Sequence, residues 1–275
     1  MTNDERRFII DLMRWSFSRV NSFNNCKYEW MLKYIEEPGE NADSCYGQFG
    51  TLCHKILEEY AKGKLDLLEL PMVYEERFKD IITEDFPRRG DKDFRSDYYE
   101  KGYEYFLNFA GFGDEYEILG VEKKVEFELE GYPFIGFIDL LMKNKNTGEI
   151  VILDHKSTSM KFKKDGSLSK TSLPKFEEFR RQLYLYSIPI IKEYGHVDKL
   201  VWNLFKDGTS ITIDFDYHDL DSARNWALKT IKEIESETEW KAKPDYMYCS
   251  YLCSKRRDGC PYKYQLPDRE EYVPE

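Results

Sequence analysis

The sequence lacks any apolar run long enough to cross a bilayer: "FIGFIDLLM", among its longest, falls far short of the ~20 residues a membrane helix needs. The first ten residues, "MTNDERRFII", carry both signs of charge and lead into no long hydrophobic segment, so no secretory leader is expected. Fixed-period repeats, low-complexity tracts and Pro- or Gly-rich linkers are missing too. One domain over residues 1–275 is the simplest expectation, in a soluble protein of the cytoplasm. Positive charge is short: 41 Lys and Arg against 52 Asp and Glu leave a formal net charge of -11, which opposes non-specific adhesion to polyanions. Any contact with nucleic acid must come from a local basic patch. Core material is plentiful, since 41% of residues are hydrophobic and 16% aromatic.

The hydrophobic period changes along the chain. From Ser16, a possible helix cap, "SFSRVNSFNNCKYEWMLKYIEE" sets Val20, Phe23, Tyr28, Met31 and Ile35 roughly on one helical face. "GTLCHKILEEYAKG" continues as helix to a stop at Gly63, and further helices are expected near 72–84 and 96–110. The aromatic stripe of "DYYEKGYEYFLNF" is read as core. Then "EILGVEKKVEFELEG" alternates, "YPFIGFIDLLMK" is nearly all apolar, and "GEIVILDHKS" follows a turn signal at "NKNTG". These read as three antiparallel strands. A helix over about 174–192, a hairpin turning at "KDGT", a helix over 218–240 and a cysteine-rich tail complete the chain. The expected architecture is α/β, a mixed sheet flanked by helices, with a helical part over 15–115, a core over 116–240 and a tail over 241–275.

If the second hairpin turns between Asn146 and Thr147, Asp139 lies opposite Asp154, because the two are equidistant from that point. Opposed side chains in an antiparallel pair stand about 5 Å apart at Cβ, and like charges there repel. Lys156 shares the face of Asp154, and His155 points away. Two carboxylates and an ammonium on one spot suit a divalent cation with oxygen ligands, Mg²⁺ or Mn²⁺, and hence phosphodiester hydrolysis assisted by Lys156. A surface ion pair between Asp154 and Lys156 is the plain alternative. Asp139, however, interrupts an apolar strand, where a lone carboxylate is costly unless paired or metal-bound.

"GFID" followed by "DHK" resembles the G-x-x-D and D-x-K signature of the PD-(D/E)XK nuclease superfamily, specifically its RecB-like branch, similar to CRISPR-adaptation nucleases and the nuclease domains of helicase-nuclease complexes. "GTLCH" resembles that branch's G-x-x-x-H motif, which implies that His54 is a metal ligand beside Asp139 and Asp154. "QLYLY" resembles its Q-x-x-x-Y motif, which implies site roles for Gln182 and Tyr186, one helical turn apart. Glu122 corresponds to an auxiliary acid of relatives, with Glu126 as the alternative. The resemblance implies a restriction-endonuclease-like fold and spans about residues 15–263.

Six cysteines in a reducing compartment are expected buried, metal-bound or reactive. Cys249, Cys253 and Cys260 crowd the tail. By the same resemblance, Cys26 is the fourth ligand of a [4Fe-4S] cluster or a structural Zn²⁺ that clasps the two ends together. The spacing among the last three departs from the usual cluster pattern, so both metals stay open. Cys45 and Cys53 are read as packing residues.

Between Lys156 and Arg181 eight basic residues face three acidic ones, a local +5. Lys161, Lys163, Lys164, Arg180 and Arg181 are the expected DNA contacts. The overall reading is a metal-dependent DNA nuclease, an exonuclease on single strands or ends serving recombination, repair or phage DNA processing, with a recombination or CRISPR-associated partner. The alternatives are a structure-specific or RNA-directed endonuclease and a catalytically silent DNA-binding scaffold.

Overall fold

The computed structural model describes residues 1–39, 41–87, 90–256 and 260–262. Part of the expected tail, including Arg257, lies outside them.

Helices α1 (Asn3–Asp11), α2 (Phe17–Ser22) and α3 (Lys27–Met31) open the chain. Ser16 caps α2 by accepting from Arg19 N at 3.2 Å. The expected continuous helix is broken between Phe23 and Cys26, and α3 runs on as a π-turn over Leu32–Glu36. The apolar face nonetheless survives the break: Val20, Phe23, Met31 and Ile35 are all buried. Helices α4 (Cys45–Ala61), α5 (Leu70–Ile81) and α6 (Phe94–Leu107) follow, with Gly63 at φ +67° just beyond α4.

The sheet runs in sequence order: β1 (Tyr116–Leu129), β2 (Tyr132–Asn144), β3 (Ile150–Lys156), β4 (Lys199–Leu204) and β5 (Thr209–Asp214). All neighbours are antiparallel except β3 and β4, which are parallel and joined through α7 (Leu173–Tyr194). Helix α8 (Tyr217–Ser236) follows β5. One core joins the sheet to α7, α8 and the first helices; a second joins α4, α5, α6 and Phe205. Tyr98, Tyr105 and Phe106 of the aromatic stripe belong to the second. Among the described residues no helix is long and apolar enough to cross a membrane.

The β2–β3 register, Leu140 opposite Leu153 through Lys143 opposite Ile150, centres the turn between Asn146 and Thr147 as expected. Asn144 Oδ1 closes that turn by accepting from the N–H groups of both residues. Pairing stops at Leu140 and Leu153. The next residues, Asp139 and Asp154, stand where the two strands part.

Candidate active site

At this fork a side chain replaces the strand ladder: His155 N donates to Asp139 Oδ2 at 2.6 Å. Across β1, Glu122 occupies the gap between the Val121–Leu140 and Lys123–Ile138 pairs, just past a register shift at Ile118–Gly120. Its φ is +50°, a left-handed conformation uncommon for a side chain of this size and costing on the order of 1 kcal/mol or more. From the opposite side α4 brings His54, whose Nδ1 is 3.4 Å from Asp139 Oδ2. His54, Glu122 and Asp139 each present a ligand atom within 4.8 Å of the others, a possible metal-binding group.

Asp154 stands beside this group and is held differently. Lys156 Nζ lies 2.6 Å from its Oδ2. Gln182 on α7 donates to its Oδ1 at 3.2 Å and accepts from Lys156 Nζ at 2.9 Å, so one amide fixes both charged groups. The ring of Phe179 lies under the ammonium, 4.9 Å away. Tyr186, one turn beyond Gln182, is buried against Gly136 of "GFID".

Electrostatics reinforce the geometry. Burial, then the charge of Asp154, pushes Asp139 up to about 7. Burial, then Asp139, raises Glu122. Burial lowers His54, keeping it neutral and able to donate a lone pair. Among the described residues, buried Asp154 Oδ2 has no hydrogen-bond partner beyond its ion contact with Lys156. Acids crowded against their own repulsion, a neutral imidazole and a buried carboxylate oxygen held only by an ammonium fit a hard divalent cation.

The structure therefore brings together His54, Glu122, Asp139, Asp154, Lys156, Gln182 and Tyr186. Glu126 lies outside the group, exposed and paired with Arg14 and Lys124. His155 points away from Asp154 and Lys156 but not from the whole group: it is buried with its ring 5.5 Å from that of His54, edge to face, and its Nδ1 is 2.8 Å from Asn203 Nδ2, which also donates to Tyr105 Oη at 2.6 Å. Sequence reasoning missed Asn203 and Tyr105; the one signal was a polar residue inside the apolar strand "LVWNLF". Of the expected DNA contacts, Lys161, Lys163 and Lys164 are exposed. Arg180 is committed to Glu177 and Asp219, and Arg181 lies over Trp226.

The cysteine-rich tail is fastened to the N-terminal helices. Buried Glu29 accepts from Ser254 N and Ser254 Oγ, each at 2.7 Å, and from Tyr248 Oη. Arg256 binds the carbonyls of Ala42 and Asp43 and the carboxylate of Glu84. None of the six cysteines is in a disulfide. Burial raises Cys249 and pushes Cys253 up to about 12, and Cys260 lies close enough to add to both. Cys26 also bears on Cys249. Backbone N–H groups of Lys243 and Asp245 point at the sulfurs of Cys26 and Cys249. Among the described residues the four sulfurs do not come together as a metal-binding group in the way that His54, Glu122 and Asp139 do. Cys45 and Cys53 are buried within the structure, as read.

Fold and site together define a restriction-endonuclease-like nuclease. The family model of the PD-(D/E)XK nuclease superfamily matches residues 14–265, and the chain belongs to that superfamily. Among solved structures, a presumed exonuclease from Eubacterium rectale is similar over 89% of this chain and 87% of its own, at 14% identity and a TM-score of 0.47. No curated protein matches the sequence.

Proposed function

We propose that the protein is a divalent-metal-dependent DNA nuclease of the RecB-like branch, an exonuclease acting on single strands or ends. The observation that carries the reading is the convergence of the His54, Glu122 and Asp139 ligand group with the Asp154–Lys156–Gln182 network at one strand fork. A divalent cation there supplies charge neutralisation at the scissile phosphate and acidifies a neighbouring water.

The chain's own residues do the rest. His54, Glu122, Asp139 and Asp154 would hold the cation, Asp139 being oriented by the His155 N–H. Lys156, fixed between Asp154 and Gln182, offers a proton-bearing ammonium beside the attacked phosphate, where it orients the nucleophilic water and offsets developing negative charge. Tyr186 and Phe179 wall this side of the site with apolar surface, strengthening these interactions by excluding water. Exposed lysines on the segment after β3 supply a local phosphate-binding track on an acidic body, which suits a single strand better than a broad duplex face. At the other end, Cys26, Cys249, Cys253 and Cys260 would hold a [4Fe-4S] cluster or Zn²⁺.

The test is degradation of end-labelled linear single-stranded, linear duplex and circular DNA, with Mg²⁺ or Mn²⁺ and with EDTA. Metal-dependent loss of linear strands, spared circles and silence of Asp154→Ala are expected. Cleavage of circles as fast as linear strands would overturn the exonuclease assignment. Cleavage by Asp154→Ala at the parental rate would overturn the site.

A further inference from the structure

The ten residues "KFKKDGSLSK", 161–170, form a small hairpin between β3 and α7, the two elements that carry Lys156 and Gln182. Phe162 bridges to Leu168, Lys163 N donates to Ser167 O at 2.7 Å, and Ser169 N donates to Lys161 O at 2.8 Å. Its base is fixed. Met160 is buried in the main core and donates its N–H to Asp207 at 2.8 Å, and Lys161 N donates to the buried Ser172 hydroxyl at 2.8 Å. From this rigid base Phe162 projects with 43% of its surface exposed. Among the described residues its ring meets no other aromatic ring and no cation.

Basic residues are dense around it. On α7 Lys175 and Arg180 are neutralised by acids. Among the described residues the side chains of Lys161, Lys163, Lys164 and Lys170 make no ion pair, although acidic residues outnumber basic ones in the chain. One exposed aromatic ring on a hairpin that carries four lysines without ion pairs and a single acid, Asp165, matches a ligand with a flat π-face and a repeating negative charge. A single exposed Phe is ordinary by itself, and so is a surface Lys without an ion pair; their concentration in one ten-residue hairpin sets this one apart.

Resting on the nuclease reading, we propose that Phe162 is a stacking platform for an unpaired base of single-stranded DNA, with the hairpin lysines on the flanking phosphates. In a duplex the base faces are already stacked on one another, so a Phe ring selects for unpaired nucleotides. Phe162 lies six positions after Lys156, at most about 20 Å of extended chain. The strand held by the hairpin is therefore the strand presented to the site, and the hairpin makes the enzyme a single-strand reader.

The experiment measures binding of a fluorescein-labelled single-stranded DNA oligonucleotide by anisotropy, with Ca²⁺ replacing Mg²⁺, for the parent, Phe162→Ala, Phe162→Trp and Lys164→Gln. Phe162→Ala should bind roughly ten- to a hundredfold more weakly, with an unchanged salt slope, and Phe162→Trp should bind at least as well as the parent. Lys164→Gln should instead flatten the salt slope by about one phosphate contact. An oligonucleotide with consecutive abasic sites should erase the difference between parent and Phe162→Ala. Equal affinity of those two proteins for intact strands overturns the platform and leaves the nuclease reading standing. A parent that neither binds nor, in Mg²⁺, cleaves single strands overturns both.

Discussion

Gly136 and Tyr186 are in contact so close that a methyl group on Gly136 would stand 2.4 Å from Cε1 and Cζ of the tyrosine ring. This links two motifs about fifty residues apart in sequence. Gly136 lies three residues before Asp139, and Tyr186 lies four after Gln182. The ring seats α7 against β2 and thereby sets Gln182 over Asp154 and Lys156.

The contact predicts a specific coupling. Gly136→Ala should push the ring out, cost roughly 1–3 kcal/mol of stability and slow cleavage, whereas Tyr186→Ala should lose several kcal/mol through a cavity. The double variant should lose less than the sum of the two, because the smaller side chain makes room for the added methyl. Urea unfolding of the four proteins measures this coupling; strict additivity would show that the packing does not matter.

Glu122 predicts a trade between stability and binding. Its φ of +50° suits glycine, and burial beside Asp139 disfavours its charge. Glu122→Gly should therefore match or exceed the parent's melting temperature in EDTA while binding Mn²⁺ more weakly and cleaving more slowly. Calorimetric titration with Mn²⁺ checks the second half; unchanged Mn²⁺ affinity would remove Glu122 from the ligand group.

Much of this was legible from residue order alone, and the reasons are local. A turn signal at "NKNTG" between two apolar runs fixes the β2–β3 register, so the juxtaposition of Asp139 and Asp154 follows from counting. Helical spacing likewise puts Gln182 and Tyr186 on one face of α7. What was hidden depends on contacts between distant elements. Choosing Glu122 over Glu126 requires the register shift near Gly120 and a backbone turned to positive φ, neither of which periodicity reveals. Arg180 counted as a free cation in sequence because its partner Asp219 lies on α8. The break of the first helix at Phe23–Cys26 was equally invisible, since the apolar face continues across it.

The tail predicts a coupling between a buried acid and metal content. Glu29 receives the Ser254 N–H, the Ser254 hydroxyl and the Tyr248 hydroxyl, and Glu29→Ala leaves all three donors without their acceptor. A loss of roughly 2–3 kcal/mol is expected. Because these bonds hold Cys249 and Cys253 against the N-terminal helices, the proposed four-cysteine site requires that the same variant purify with less iron or zinc per chain than the parent. Elemental analysis of anaerobically prepared protein decides it, with Cys253→Ser as the reference for a lost ligand; full metal content in Cys253→Ser would exclude a four-cysteine site.

The pH dependence follows from Asp139. In the unfolded chain its carboxyl titrates near the ordinary value, about 3.9, whereas in the folded, metal-free protein burial and Asp154 push it up to about 7. Between those values the folded state keeps a proton that the unfolded state has lost, so raising the pH across this window weakens the metal-free fold. Asp139→Asn removes that penalty and should unfold at higher urea than the parent in EDTA at pH 8, with the advantage vanishing towards pH 4. A divalent cation reverses the order, since it favours the ionised carboxylate: with Mn²⁺ at pH 8 the parent should gain stability and Asp139→Asn should gain little. Cation binding by the parent should then release about one proton near pH 6, seen as a dependence of the calorimetric heat on the buffer's ionisation enthalpy. Urea curves for the two proteins that stay parallel from pH 4 to pH 8, with and without Mn²⁺, would mean that Asp139 is neither strained by its neighbours nor a ligand.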